Sequence, residues 1–355
     1  MPSSRPRPTV VALAVAALTL TACTSREETP AAPASGGGPA ASAQPAAPAA
    51  DGCTLAKTGY PKVDLKTAVV GFSQSEKEAN PFRIAETQSI RDEAAKLGIT
   101  NLLVTNAQSD LNRQISDIKS LLDRGAQLLV VAPLNSDGLQ PALDAAKAKK
   151  VPVVTIDRKV TSRPCTDYLT FIGSDFVQQG KRAAQAMAKA TGGTGKVVIL
   201  LGSSGNNVTT DRTQGFKDEL ARTPGLTVVA EQTGDFDRSK GQAVMEQLIQ
   251  SHPDVTAVYA ENDEMGVGAV NALKTAGKTP GKDVKVVSID GTRNAVQLIA
   301  GGSYNAVIES NPRFGPLAFQ TLQKFENGEP IPAGIVITDD QYDETNAAQK
   351  AGNAY

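Results

Sequence analysis

From Thr67 onward the chain alternates between two hydrophobic periods. Short apolar runs, "TAVVGFS", "NLLVTNA", "QLLVVAP", "VPVVTID", "YLTFIGS", "KVVILLG", "LTVVAEQ", "AVYAEN", "VKVVSID" and "NAVIES", read as strands. Between them lie stretches with helical periodicity, such as "DLNRQISDIKSLLDRG". Here Leu111, Ile115, Ile118 and Leu122 share one face, and Gly125 supplies a C-terminal stop. Strands alternating with helices imply right-handed crossovers and parallel sheets covered on both faces. Ten strands crowd one sheet. The pattern therefore predicts an α/β chain of two doubly wound parallel-sheet domains joined by a hinge, with the polar-flanked strand "YLTFIGSDF" at a crossing between them.

Two of these apolar strands end in full charge: "VPVVTIDRK" runs into Asp157 and Arg158, and "VKVVSIDGT" ends in Asp290. Open parallel sheets bind ligands beyond the carboxyl ends of their strands, which is where Asp157, Arg158, Asn262 and Asp290 fall. The plainer account is helix capping, since Asn262 precedes "DEMGVGAV" and Asp290 precedes "GTRNAVQ". Four such residues at matching strand ends favour a site.

The chain has 355 residues, 40% of them hydrophobic, enough for two domains with cores of their own. Its net charge of -1, without a Lys/Arg run, offers no electrostatic draw to nucleic acid or an anionic membrane.

The N-terminus bears on compartment. Arg5 and Arg7 precede the apolar run "VVALAVAALTLTAC", of signal-peptide length and too short to span a bilayer. It ends in Leu20-Thr21-Ala22-Cys23, similar to a bacterial lipobox whose Cys becomes diacylated after cleavage; the alternative is an ordinary Ala-x-Ala signal with an incidental Cys. Thr24 to Asp51 is rich in Pro, Ala, Gly and Ser and reads as a tether with too few large apolar residues for a core. With Cys23 assigned, Cys53 and Cys165 remain. Outside the cytosol they either pair or stay free, and spacing does not decide between the two.

Catalytic and cofactor motifs are weak. "TGGTGKVV" lacks the spacing and the Ser or Thr of a P-loop and precedes a strand, so it reads as a turn. "GSSGNNVTTDR" leads into a helix without the GxGxxG spacing and suits a site-lining loop. His252, the only histidine, lies in a "SHPD" loop, and no metal cluster is predicted. A glycosidase pair of Asp157 and Asp290 needs one carboxyl with a raised pKa, whereas Arg158 beside Asp157 favours ionisation. The constellation better suits a neutral polyol. Carboxylates accept hydroxyl hydrogen bonds, guanidinium groups donate, and aromatic faces cover the ring. Phe82 in "ANPFR" and Phe236 in "TGDFDR" lie in polar contexts where a core aromatic is less expected.

The segments "VGFSQ", "ANPFRIAET", "TIDRKV", "TTDRTQGF", "GDFDRSKGQAVMEQL", "YAENDEMGVGAVNALKTAG" and "SIDGT" occur in the order and spacing of a known family. From about Thr67 to near its end, the chain resembles the periplasmic sugar-binding proteins of ABC importers. This is the type I fold of ribose and galactofuranose binders, shared with LacI-type sensor domains. The N-terminal residues give a signal peptide (1–22) and a lipid-anchored Cys and tether (23–59), and the resemblance implies an N-terminal lobe (60–174 and 311–337) and a C-terminal lobe (175–310 and 338–355).

It also implies a monosaccharide ligand, no cofactor, a monomer, and membrane permease subunits as partners. The protein would be held outside the cytoplasm on the cell membrane by its lipid anchor. By matching positions, Phe82 and Phe236 sandwich the sugar; Asn80, Asp157 and Arg158 contact it from the first lobe; Arg212, Asn262 and Asp290 contact it from the second. Ribose binders carry Asn at Ala132 and an aromatic at Arg83, so Arg83 and Glu86 are expected to read a different part of the ligand. A Gln of ribose binders near Ser310 has Glu309 or Asn311 as substitutes. Hinges are expected near Ser174, Ser310 and Thr338. A LacI-type regulator would need an N-terminal DNA-binding motif in place of the signal and tether; a sensory protein presenting sugar to a receptor would use the same site.

Overall fold

The computed structural model describes residues 38–44 and 52–355. The expected signal peptide, Cys23 and most of the tether lie outside the described residues. Among those described, no helix is long and apolar enough to cross a membrane.

Each expected strand forms. Numbered along the chain, β1 (Val70–Gln74), β2 (Leu102–Asn106), β3 (Leu128–Val131), β4 (Val153–Ile156) and β5 (Thr170–Gly173) belong to one sheet. The second sheet contains β6 (Gly195–Leu201), β7 (Leu226–Thr233), β8 (Ala257–Ala260), β9 (Lys285–Asp290) and β10 (Ala306–Glu309). Two short strands, β11 (Gly334–Val336) and β12 (Gln341–Asp343), complete them. The orders are β11-β5-β4-β3-β1-β2 and β12-β10-β9-β8-β6-β7, all parallel except β12 on β10. The central strands are buried along their whole length, as their unbroken apolar runs require of a sheet covered on both faces.

The main helices are α1 (Leu55–Thr58), α2 (Pro81–Lys96), α3 (Leu111–Asp123), α4 (Gln140–Ala148), α5 (Phe176–Thr191), α6 (Asn207–Leu220), α7 (Arg238–Ser251), α8 (Asp263–Thr275), α9 (Arg293–Ala300) and α10 (Gly315–Glu326). On α3, Ile118 and Leu122 are buried while Leu111 and Ile115 are half-buried, and Gly125 adopts φ +88° just beyond the helix. Phe72, Ile90, Phe319 and Phe325 fill the layer that α2 and α10 form with the first sheet.

The chain passes from one sheet to the other three times: after β5, between β10 and α10, and between β11 and β12. These crossings contain Ser174, Ser310 and Thr338. Cys53 and Cys165 form a disulfide, with Cα atoms 5.2 Å apart.

Two parts of the tether depart from expectation. Within 52–59 the chain forms α1, and Cys53 N donates to Ile331 O at 2.7 Å. Residues 38–44 lie against the crossings. Ala41 N donates to Arg313 O at 3.1 Å, Thr338 N to Ser42 O at 2.8 Å and Gln44 N to Val336 O at 2.8 Å. Asn311 Nδ2 donates to Pro39 O at 3.1 Å. A segment poor in large apolar residues builds no core, but its backbone can still pair with an open strand edge, which requires nothing of the side chains.

Candidate functional site: the cleft between the two sheets

The carboxyl ends of β1, β4, β8 and β9 meet across a cleft. Beyond β1 comes Glu76. Helix α2 begins with Asn80 as its N-cap, whose Oδ1 accepts from Arg83 N at 2.9 Å, and Pro81 occupies the first turn, where a missing N–H costs nothing. This cap sets Phe82 and Arg83 at the cleft. At the end of β4, Asp157 takes φ +65°, and its backbone N–H still pairs with Ile172 O at 3.0 Å. Asp235, Phe236 and Asp290 also take positive φ, at 56°, 59° and 145°. Non-glycine residues held there cost on the order of 1–3 kcal/mol each and concentrate at functional sites.

Charges of the first lobe form a closed network. Arg83 Nη1 donates to Asp157 Oδ2 at 2.7 Å and to Glu86 Oε2 at 2.8 Å, while its Nε donates to Glu76 Oε2 at 3.0 Å. Arg158 Nη2 donates to Glu76 Oε1 at 2.7 Å and its Nη1 to Leu134 O at 2.8 Å. Burial alone would raise the Glu76 carboxyl, but Arg158 and Arg83 hold it at about 2. Burial pushes Glu86 up to about 7 against the pull of Arg83. Arg158 Nε and Glu86 Oε1 are buried without a hydrogen-bond partner among the described residues, an uncommon and costly condition.

The second lobe supplies Arg212, Asn262 and Asp290. Arg212 Nη1 donates to Glu261 O at 2.6 Å, and its Nη2 lies 3.8 Å from Asp290 Oδ1, an ion pair too long for a hydrogen bond. Burial raises Asp290 well above the ordinary carboxylate range, Arg212 opposes, and Asp263 adds to the rise. Asn262 caps α8 through Met265 N at 3.0 Å and also donates from Nδ2 to Phe236 O at 3.1 Å, so it serves both as cap and as support for the aromatic. Asp290, by contrast, caps nothing: the N-cap of α9 is Thr292.

Nine of the ten expected residues line one cavity; Glu86 lies behind Arg83. Glu76 and Val208, which the sequence pattern does not single out, complete its lining. About 30 Å³ of free space remains there, less than a sugar ring needs, so lining side chains or the lobes must move outward to admit one. A wider cavity of about 770 Å³ lies at the mouth, between Glu76, Asn80, Leu134, Ser203 and Phe236. The lobes touch directly at this mouth: Lys159 N donates to Asn207 Oδ1 at 3.0 Å and Asn207 N to Ser136 Oγ at 3.0 Å.

Tyr355 likewise has no signal in the sequence pattern. Its ring meets Phe82 edge-on, 6.1 Å between centroids, and its backbone carbonyl accepts from Arg293 N at 2.7 Å. The two candidate substitutes near Ser310 point elsewhere. Glu309 Oε2 accepts from Asp340 N at 2.8 Å, and Asn311 Nδ2 is engaged by Pro39 O at 3.1 Å. His252 ends α7 outside the cleft, and no group of three or more potential metal ligands occurs among the described residues.

A cleft between two doubly wound sheets, lined by paired charges and two aromatics, defines a two-lobed binding protein. A model of the periplasmic binding protein domain matches residues 70–330, and the chain belongs to this family. The galactofuranose-binding protein YtfQ of Escherichia coli (strain K12) is 34% identical over 273 residues, 76% of this chain and 85% of that protein. The ribose import binding protein RbsB of the same strain is 37% identical over 255 residues, 72% and 83% of the two chains. Among solved structures, a similar one is the periplasmic binding protein component of the arabinose ABC transporter from Shewanella sp. ANA-3, bound to α- and β-L-arabinofuranose. It has a TM-score of 0.77 at 34% identity, over 79% of this chain and 94% of that one. The protein is a substrate-binding protein and not an enzyme, which sets aside the glycosidase reading of Asp157 and Asp290.

Proposed function

We propose that the protein captures a neutral monosaccharide in its cleft outside the cytoplasm and delivers it to the permease of an ABC importer, held at the membrane by acylated Cys23. Phe82 and Phe236 cover the ring. Asn80, Arg83, Asp157 and Arg158 bind hydroxyls from one lobe, and Arg212, Asn262 and Asp290 from the other, with Glu86 holding Arg83. The observation that carries this reading is the facing of paired guanidinium and carboxyl groups from both lobes around one small cavity. Charges already paired with one another suit an uncharged ligand rich in donors and acceptors.

A five-membered ring is favoured. Ala132 offers no side-chain amide, and Arg83 stands 4.9 Å from the Phe82 ring centroid where ribose binders are expected to place a second aromatic. Of the similar proteins above, one is named for galactofuranose and another is bound to α- and β-L-arabinofuranose. Contact with both lobes gives the ligand differential affinity for the closed state, and closure presents one surface to the permease.

A thermal-shift screen of the chain from Gly38 onward tests this, with methyl β-D-galactofuranoside, L-arabinose, D-ribose, D-galactose and D-galacturonate. A ligand that binds only the native state raises its melting temperature. A shift with a neutral sugar and none with galacturonate is expected; a shift with galacturonate alone contradicts the neutral-ligand reading.

A further inference from the structure

Gln179, in the first turn of α5, does not line the cavity, yet it holds a residue that does. Arg212 Nε donates to Gln179 Oε1 at 3.0 Å. A guanidinium only donates, so the amide oxygen must face it. The amide nitrogen is thereby aimed at two acceptors, Asp339 Oδ2 at 2.8 Å and Glu309 O at 3.2 Å. Gln179 is 1% exposed, so the orientation has no solvent-bonded alternative.

The two helices carrying this pair are packed backbone to backbone. A Cβ on Gly180 would fall 2.2 Å from Arg212 O, and one on Gly215 would fall 2.0 Å from Val177 O. The backbone separation of Gln179 and Arg212 is therefore fixed within the second lobe, and only the side chains can change their contact. The link that reports on the rest of the molecule is the one from Gln179 to Asp339.

Asp339 lies in the third crossing, and its remaining bonds reach the other two. Its Oδ1 accepts from Ser174 Oγ at 3.1 Å in the first crossing and faces Asn311 N at 3.5 Å in the second. Arg182 Nη1, one turn along α5 from Gln179, donates to its carbonyl at 2.9 Å. One carboxylate thus gathers all three crossings and, through a single amide, the guanidinium of the cleft.

We infer that Gln179 and Asp339 are positioning residues that register Arg212 to the three interlobe crossings, so that the geometry of the hinge is passed to the binding cleft. Rotation of the lobes changes the crossings' torsions and shifts Ser174 and Asn311 relative to Asp339. The amide then loses its aim at Asp339, and the hold on Arg212 Nε loosens. Arg212 is at its binding position when the crossings are in the closed arrangement. The consequence for affinity rests on the sugar-binding reading above; the coupling itself does not.

Two measurements test it. The first needs no ligand: the exchange rate of the Arg212 Nε–H proton, followed by nitrogen-15 NMR in the parent, Asp339→Asn and Asp339→Ala. Asp339 does not touch Arg212, so faster exchange by about tenfold in Asp339→Ala reports transmission through Gln179, a loss on the scale of one buried hydrogen bond. An unchanged rate overturns the inference.

The second is a rescue. In Gln179→Glu the new carboxylate faces Asp339 and the Glu309 carbonyl with no donor between them, and affinity for L-arabinose or methyl β-D-galactofuranoside should fall at least about tenfold. Adding Asp339→Asn restores a donor opposite Glu at 179 and should bring affinity back to within about threefold of the parent. A double variant that binds no better than Gln179→Glu contradicts the inference. If the parent binds neither sugar while Asp339→Ala still speeds exchange, the ligand assignment fails and the positioning role stands.

Discussion

Arg83 and Asp157, 74 residues apart, meet through a 2.7 Å hydrogen bond from Nη1 to Oδ2 that joins the first turn of α2 to the end of β4. The bond turns two separate strand-end and helix-start features into one surface. Each member also engages further charges. Arg83 holds Glu76 and Glu86, and Asp157 lies 3.6 Å from Arg158 Nε.

Truncating one member of such a surface leaves its partners buried and unpaired, which costs about 1–3 kcal/mol, more where the partner is charged. Asp157→Ala, Arg212→Ala and Asp290→Ala should each weaken sugar binding by at least about tenfold. Far-UV circular dichroism should show the fold intact in all three, since none of these side chains belongs to the apolar clusters.

Stability should decline from mildly acidic to neutral pH. Burial raises Glu86 and Glu261 to about 7 and Asp263 and Asp339 to about 6. In the unfolded chain such groups titrate near pH 4. Between about pH 4 and 7 the unfolded chain has released protons that the native state retains, so the native state loses stability as pH rises. Glu76, held at about 2, acts in the other direction and only in acid: its contribution is present above about pH 4.5 and is lost as pH falls through 2. Melting temperature should therefore peak near about pH 4 to 5, and Glu86→Gln should flatten the decline toward pH 7, a change on the order of 1 kcal/mol or more.

Reduction should destabilise the first lobe. Cys53 and Cys165 close a loop with a sequence separation of 112, and losing such a constraint costs about 2–5 kcal/mol. Cys53→Ser, Cys165→Ser and the double variant should melt lower than the parent by the same amount, and a reducing agent should bring the parent down to them. A parent that melts equally with and without reductant contradicts the bridge.

Removing residues 38–44 should matter more than the composition of a tether suggests. Backbone bonds to Arg313, Val336 and Thr338 would be lost, each worth about 0.5–1.5 kcal/mol net. A chain starting at Gly52 should melt several degrees below one starting at Gly38.

Most of the fold is legible because buried parallel strands are unbroken apolar runs, and these are visible without any partner. The short strands β11 and β12 are not: "GIV" and "QYD" are three residues each, and neighbouring backbone rather than their own pattern makes them strands. The site is legible where a charge closes an apolar run, as at Asp157 and Asp290. Glu76 is hidden in "SEKEAN", a polar loop in which several carboxylates look alike, and only the fold brings this one to Arg83 and Arg158. Gln179 and Tyr355 act through contacts 33 and 45 residues away, to Arg212 and Ser310, which no local period encodes. The strap at residues 38–44 works through backbone groups, and composition is blind to those.

The cleft should bind one neutral sugar per chain. Isothermal titration calorimetry of the parent chain with L-arabinose and methyl β-D-galactofuranoside, repeated on Asp157→Ala and Arg212→Ala, tests this. One site per chain is expected for at least one of these sugars, with affinity reduced in both variants. Undiminished binding by both variants would contradict it; the absence of heat from a folded parent with either sugar would contradict the five-membered-ring assignment.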